Sequence, residues 1–477
     1  MAGFLVVGLA IAMLVLLVSL LGPFLAPQMA PLLGLTLDVT PLTLYFFVFA
    51  TLYNAILLSI VLIQGRRERM VEGEAAKHVF SIMIPCRNEE RVIGETVSAQ
   101  FAVDYPNGKF EVLVINDGST DHTPEILDQL RIRYKGLRVL NVPIEESGRG
   151  KSVALNRGLE HLMKTSPFRD ESNLIIGVYD ADGVPKSDIL KKASFRLLDP
   201  KIGAVQVLVR IGNVRDSILT MMQDIEFVTF AKVTQFARTV FRGAVALGGN
   251  GQFIRASTLK SIALNPGEYW RIDALTEDLD LGTRVLLSGE ENSFLSTTCV
   301  YQYGVNDLKS LFKQRTRWSW GALQCFLSYA ASLKLLKSSI SSVKKLDLLY
   351  YLSAVILPPV VLMVWAISFL GVLGLFLIYN PFPAYFMVAN SVCFFPIIGY
   401  GMWSVRKEYK TIMIPIMILL TTAYTYHWVI CTISAMFKVA RHEKPRWMVT
   451  QKRSVEIPTG PVPATSPREL GEQRTQL

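Results

Sequence analysis

Long apolar runs stand at both ends of this chain, and none stands in the middle. Phe4 to Leu25 is almost wholly apolar and matches the roughly 20 residues a helix needs to cross a bilayer. A cleaved leader would have a basic start and an apolar run of about 7–15 residues; this run has no basic start and is longer. Pro41 to Gln64 is a second apolar run, followed at once by Arg66-Arg67, whereas the loop Ala26 to Thr40 holds no Lys or Arg. Cytosolic loops collect Lys and Arg, so that first loop belongs outside and the chain after Gly65 starts in the cytosol. Near the other end, Leu346 to Tyr379 (interrupted by Pro358-Pro359) and Tyr385 to Val405 read as two further spans around the uncharged loop Asn380 to Ala384. A fifth apolar stretch, Thr411 to Phe437, would leave the basic segment Lys438 to Arg453 outside if it crossed. The charge rule therefore favours a helix that dips into the cytosolic face, with Pro415 as the kink. The expected layout is two spans in 1–65, a cytosolic domain in 75–335, two spans in 346–405, an interfacial or re-entrant helix in 411–437, a basic segment in 438–453 and a disordered tail in 454–477.

The net charge is +10. In a nucleic-acid binder that excess would form a basic stripe with aromatic partners. Here it gathers beside apolar segments, as in Arg66-Arg67-Glu68-Arg69, Arg406-Lys407 and Lys452-Arg453. That pattern suits the cytosolic side of a membrane and argues against nucleic acid as a partner. Five scattered cysteines without a CxxC argue against zinc and dithiol chemistry and fit a reducing compartment.

Between the apolar ends, short apolar runs alternate with helical patterns. Val79–Ile84, Phe110–Ile115, Leu137–Val142 and Leu174–Tyr179 read as strands; the stretch to about Phe101, Pro124–Tyr134 and Ser152–Lys164 read as helices. Near-continuous apolar strands alternating with helices predict an α/β domain with a parallel sheet covered on both faces. Further on, Asp216–Phe241 reads as a long interfacial or packing helix, Glu277–Ser288 and Asp307–Ala330 as helices, and Phe294–Tyr301 as a strand. Open α/β sheets bind ligands beyond the carboxyl ends of their strands. Cys86–Glu89, Asp117–Thr120 and Asp180–Asp182 all fall at such ends.

Each cluster has a functional and a purely structural reading. Asp180-Ala-Asp182 places two carboxylates on the same side of an extended segment, where both can reach one hard cation; a solvated turn would look the same. Asp117 can accept from a ribose hydroxyl or a base, or belong to a helix cap. Asp278 opens a helix, where a carboxylate complements the dipole or serves as a general base. Gln314, Arg317 and Trp318 lie within about one helical turn. There they can hold a diphosphate and stack on a sugar, or snorkel and anchor at a membrane surface.

The ordered set Pro85-x-x-Asn88-Glu89, Asn116-Asp117-Gly118-Ser119, Gly150-Lys151-x-x-Ala154-Leu155-Asn156, Asp180-x-Asp182, Thr276-Glu277-Asp278 and Gln314-x-x-Arg317-Trp318 resembles the membrane-integrated, processive glycosyltransferases of family 2, which include cellulose, chitin, hyaluronan and poly-N-acetylglucosamine synthases. The resemblance covers about Ala75 to Arg453 and implies a Rossmann-like GT-A domain inserted between transmembrane helices. It implies nucleotide binding by Glu89, Asp117, Lys151 and Asp180, and Mg²⁺ or Mn²⁺ on Asp182 with Asp180. It further implies a catalytic group of Asp278, Glu277 and Arg317, with Asp278 taking the acceptor proton. Gly249, Asn250, Gln314, Arg317 and Trp318 would hold the acceptor and diphosphate, and Trp447, Thr450 and Lys452 would belong to a gating loop. Arg87 stands where several relatives carry an aromatic residue, and Gly248-Gly249-Asn250-Gly251 matches neither the cellulose nor the hyaluronan form of that loop. The expected activity is inverting polymerisation of a nucleotide sugar, UDP before GDP, into a β-linked polysaccharide exported across the inner or plasma membrane, with accessory export subunits as further partners. The alternative is a non-processive enzyme that glycosylates a lipid or polyprenyl phosphate; lipid-carrier transferases of this fold usually lack the Gln/Arg/Trp cluster. A membrane scaffold with a degenerate nucleotide-binding domain is a third reading, and it predicts lost carboxylates, all of which are present.

Overall fold

The computed structural model describes residues 36–37, 49–65, 73–360, 362–363, 366, 377–378, 395–405 and 414–443. The expected span Phe4–Leu25, the gating-loop residues Trp447, Thr450 and Lys452, and the tail lie outside the described residues.

In chain order the principal elements begin with α1 (Phe49–Gln64), β1 (Val79–Cys86), α2 (Ile93–Phe101), β2 (Phe110–Asn116), α3 (Thr123–Arg133), β3 (Leu137–Asn141) and α4 (Lys151–Thr165). They continue with β4 (Leu174–Val178), β5 (Val184–Pro185), α5 (Ile189–Arg196), β6 (Ile202–Ile211), α6 (Ile218–Thr229), α7 (Phe236–Val240) and β7 (Gln252–Arg255). The last are α8 (Ala256–Ser261), α9 (Glu277–Leu287), β8 (Glu291–Gln302), α10 (Leu308–Cys325), α11 (Ser342–Ser353), α12 (Ile414–Thr425) and α13 (His427–Ala440). They fall into two compact units. One is built on Glu72–Asn213 and Ala246–Val305; the other contains Val214–Val245 and Asn306–Pro445 together with α1.

The first unit is an eight-stranded sheet in the order β3-β2-β1-β4-β7-β6-β8-β5. The strands β3, β2, β1 and β4 are mutually parallel, as the alternation of strand and helix predicts. The other half is mixed. β7 runs antiparallel to both β4 and β6, β6 runs parallel to β8, and β5 runs antiparallel to β8. The expectation of a wholly parallel sheet is therefore corrected. β7 enters the sheet after the Gly248–Gly251 loop and lies between β4 and β6, running opposite to both. The strands β5, β6 and β7 have no counterpart in the sequence reading.

Burial explains why the central strands read as continuous apolar runs. Ile82 and Ile84 of β1 pack with Ile93 and Val97 of α2 and Leu127 of α3 on one face. Met83 packs with Leu155, Leu159 and Leu162 of α4 and Leu281 of α9 on the other. Both faces of the strand are thus withdrawn from water, and polar alternation would cost stability. Gly158 lets α4 settle on the sheet, because an added Cβ would lie 2.5 Å from Ile115 Cδ1 and 3.1 Å from Met83 Cε.

In the second unit, Ser217 starts α6 with a reciprocal cap: its hydroxyl accepts from the Thr220 N–H while the Thr220 side chain accepts from the Ser217 N–H. The helix then widens into π-helical turns at Phe230–Gln235 before α7. Its Val233, Phe236 and Ala237 are buried against Leu57 and Val61 of α1 and against Ile397. Among the described residues one helix, Pro415–Ala440, is long and apolar enough to cross a membrane, at 26 residues. The described helix is interrupted at Tyr426, between α12 and α13. Pro415 lies in the first described turn of α12, and residues 411–413 ahead of it lie outside the described residues.

Candidate active site

The carboxyl ends of β1, β2 and β4 carry the expected polar loops, and side chains stitch two of those loops together. Asn88, in the left-handed region at φ 55°, accepts from the Thr120 N–H at 2.7 Å, and its own N–H donates to Ser119 Oγ at 3.0 Å. Asp117 Oδ2 accepts from the Gly148 N–H at 3.0 Å. The Glu89 N–H donates to Thr123 Oγ1 at 2.9 Å. Asp121 accepts from the Thr123 N–H at 3.0 Å at the start of α3. Ser119 Oγ is taken by Asn88. Cys86 is buried, and its thiol is pushed far up by that burial and then by the charges of Glu89, Asp121 and Asp117; it stays protonated and is no nucleophile.

The centre of the site is Lys151, the first residue of α4. Its ammonium donates to Asp180 Oδ1 at 2.5 Å and to the Gly249 carbonyl at 3.3 Å, and lies 3.4 Å from Glu277 Oε1. Burial pulls the Lys151 pKa down, but Asp180, Glu277 and Asp278 outweigh it and hold the ammonium above its ordinary range. Gly249 has φ +72°, and a Cβ there would sit 2.8 Å from Asp278 Oδ2 and 3.2 Å from Lys151 Nζ. Four residues expected at the site, Lys151, Asp180, Glu277 and Asp278, thus meet around Gly249. Asp278 Oδ1 accepts from the Leu279 N–H at 2.8 Å, the helix-start role foreseen for it, while Oδ2 faces the cluster.

The glycine loop between Leu247 and β7 is held from below. Gln206, absent from the sequence reading, accepts from the Gly248 N–H at 2.7 Å and donates to the Asn250 carbonyl at 2.7 Å. Asn250 accepts from the Asp180 N–H at 3.3 Å and donates to Gln302 Oε1 at 2.9 Å. Its side chain braces the Asp180 turn. Asp182 is buried and accepts from the Tyr303 N–H at 3.0 Å. A second brace fixes the segment before α9. Asn156 Oδ1 accepts from the N–H groups of Tyr269 and Trp270 at 3.0 and 2.9 Å, and its Nδ2 donates to the Trp270 carbonyl at 2.7 Å. Arg284 donates to the Ile262 and Tyr269 carbonyls at 2.7 and 2.6 Å and pairs with Asp280 at 2.8 Å.

Gln314, Arg317 and Trp318 belong to α10 of the other unit, which has its own polar centre. Glu226 of α6 accepts from Arg315 at 2.6 Å and Tyr424 at 3.0 Å on one oxygen, and from Trp428 Nε1 at 2.7 Å on the other. The Arg315 guanidinium, wholly buried, lies 4.0 Å from the centre of a Trp318 ring. Trp318 in turn stacks with Phe227 and Trp428 at 6.1 and 6.5 Å. Sequence reasoning missed Glu226, Tyr424 and Trp428. Their only signal was a pair of acids, Asp224 and Glu226, within a largely apolar helical pattern.

Residues 77–321 match the family model described as "Glycosyltransferase like family 2". Along 395 residues the chain is 31% identical to the beta-monoglucosyldiacylglycerol synthase of Nostoc sp., covering 80% of this chain and 78% of that protein. The chain belongs to glycosyltransferase family 2. The enzyme is also 27% identical over 288 residues to the poly-beta-1,6-N-acetyl-D-glucosamine synthase of Staphylococcus epidermidis, covering 59% of this chain and 61% of that one. A mannosyltransferase from Pyrobaculum calidifontis, solved with GDP-Man and Mn²⁺, superposes with a TM-score of 0.53 over 83% of this chain and all of its own, at 18% identity; that likeness supports the GT-A fold.

Among the described residues no three His, Cys, Asp or Glu side chains gather as a self-sufficient metal site. Magnesium-type ions in phosphate-transfer sites need only one or two carboxylates, with substrate phosphates completing the shell. Asp180 supplies a hard-oxygen donor, and its carboxylate already holds a cation, the Lys151 ammonium. The donor set fits Mg²⁺ or Mn²⁺.

Proposed function

We propose that this glycosyltransferase moves a hexose from a nucleotide sugar to a hydroxyl of a membrane lipid of the diacylglycerol class, and does so once per acceptor. The observation that carries this reading is the similarity to glucosyldiacylglycerol synthases. It runs over 80% of the chain, well beyond residues 77–321, while that to poly-N-acetylglucosamine synthases covers 59%. The lipid-acceptor alternative therefore takes precedence over polymerisation and export. The packing of Trp318 among Phe227, Trp428 and Arg315 also weakens the argument that its ring stacks on a polymer. Apolar runs at both ends of the sequence support catalysis at a membrane surface, where such an acceptor resides.

In this mechanism Asp117 and Glu89 orient the nucleoside from the β1 and β2 loops. Lys151, at the N-terminus of α4, neutralises the diphosphate; backbone N–H groups there favour an anion too. A divalent cation on Asp180, with Asp182 beside it, would stabilise the leaving diphosphate as Lewis acid. Asp278 takes the proton of the attacking acceptor hydroxyl, and the sugar carbon inverts because attack comes from the face opposite the leaving group. Glu277, tied to Lys151, orients this pair.

The test uses purified protein in lipid nanodiscs with Mn²⁺, a panel of UDP- and GDP-sugars, and bilayers with or without diacylglycerol. Nucleotide release that requires diacylglycerol, with an organic-extractable monoglycosylated product, is the expected result. A high-molecular-weight, glycosidase-sensitive product formed without added lipid acceptor overturns it in favour of the polymerase.

A further inference from the structure

Lys151 occupies a position that a cation-dependent transferase has reason to keep clear. Its ammonium lies on Asp180 and within 3.4 Å of Glu277, with Asp278 across Gly249. Three carboxylates and one ammonium leave a local charge of −3 + 1 = −2. The Lys151 side chain is 12% exposed, so water screens this pair poorly. We infer that Lys151 is an internal counter-ion that competes with the divalent cation for Asp180, so that the cation binds tightly only after a donor diphosphate has drawn the ammonium away. This rests on the metal-dependent glycosyl-transfer reading above and adds an order of binding to it.

Three features of the chain make the exchange possible. A lysine side chain is a compact charge on a flexible four-carbon stem, so it can change partners without backbone movement. It stands at the N-terminus of a 15-residue helix, where an arriving diphosphate is already favoured. Asp180, unlike Glu277, is substantially exposed, at 37% of its side chain against 6%. It is therefore the carboxylate the ammonium can yield at least cost. Without a diphosphate, two like charges would have to share Asp180, and the ammonium, being covalently tethered, has the advantage. With a diphosphate present, Lys151 would pair with phosphate oxygens and leave Asp180 to hold the metal ion, which the phosphates would also ligate.

The experiment measures Mn²⁺ binding by loss of the free-ion electron paramagnetic resonance signal. It uses the full-length enzyme in nanodiscs and compares wild type, Lys151→Met, Lys151→Gln and Lys151→Arg, each without nucleotide and with saturating UDP or GDP. Without nucleotide, Met and Gln variants should bind Mn²⁺ about ten-fold tighter than wild type, the effect of removing one charge a few ångströms away. Lys151→Arg should match wild type, and nucleotide should tighten Mn²⁺ binding strongly in wild type and weakly in the Met and Gln variants. Two neutral variants of different shape guard against one that misfolds, since a misfolded site would not gain affinity. If neither neutral variant tightens while wild type still shows nucleotide-dependent Mn²⁺ binding, the counter-ion role falls and the metal-dependent reading stands. If wild type binds no Mn²⁺ with either nucleotide, both fall.

Discussion

Replacing Glu226 by Leu should destabilise the unit that carries α10, and the structure sets the size. Among the described residues Glu226 is the acid that pairs with Arg315, whose side chain is wholly buried, and Arg315 Nε has no hydrogen-bond partner. Breaking a buried ion pair from one side costs about 3–5 kcal/mol, because a charge is left uncompensated. The Glu226 side chain retains 15% exposure, which places this term at the lower end, about 3 kcal/mol. The orphaned donors of Tyr424 and Trp428 add about 1 kcal/mol more once water replaces part of the loss. Converting both partners, Glu226→Leu with Arg315→Met, removes the stranded charge and should cost less than about 2 kcal/mol. The double-mutant cycle should therefore give a coupling of at least about 2 kcal/mol. Guanidinium titration in detergent, read by tryptophan fluorescence, is a suited assay because Trp318 and Trp428 sit in the cluster itself. If the double variant is as unstable as the sum of the single ones, the buried-pair reasoning is refuted.

Asp278→Asn should abolish transfer while leaving nucleotide affinity within a few-fold of wild type; retained turnover would remove Asp278 as the base. Asn156→Ala strips three hydrogen bonds from the segment ahead of Glu277 and Asp278. It should lower the unfolding free energy by about 2–3 kcal/mol and reduce kcat more than KM; an unchanged kcat with the same stability loss would make Asn156 structural only. His78 is buried, and that burial, aided by the charge of Arg255, lowers its pKa to about 4. Because the unfolded chain takes up a proton near pH 6.5 and the folded one does not, this site lowers stability as pH falls from about 6.5 to 4, by at most about 3 kcal/mol. A His78→Asn variant should show a flatter melting-temperature profile over that range, and a profile as steep as wild type would contradict the assignment.

Much of the parallel half of the sheet was legible in the sequence, because a strand covered on both faces must be apolar throughout and must end where Asn, Asp and Gly begin. The clusters after β1, β2 and β4 were legible for the same reason. Strand β7, with only four residues, was too short to show a period, and its direction depends on which strand it meets. The position of Asp278 at a helix start was readable, but its approach to Lys151 and Gly249 was not. Asn250 looked like an acceptor contact, whereas its amide braces Asp180 and Gln302. The choice of acceptor was the least readable feature, since the same carboxylates serve a lipid hydroxyl and a sugar hydroxyl equally well.

The amino-acid order by itself determined the strands of the parallel half and most of the helices, where the carboxylates stand and that the chain transfers a glycosyl group. Those properties depend on residues within a few positions of one another, or on motifs whose order is their content. Tertiary structure alone decided that the sheet is mixed, that Lys151 holds Asp180 and Glu277, and that Glu226 joins Arg315, Tyr424 and Trp428, 89, 198 and 202 residues away. No local periodicity records such partnerships. They exist because a buried charge must find an opposite one, and only the closed fold determines which charges come within reach.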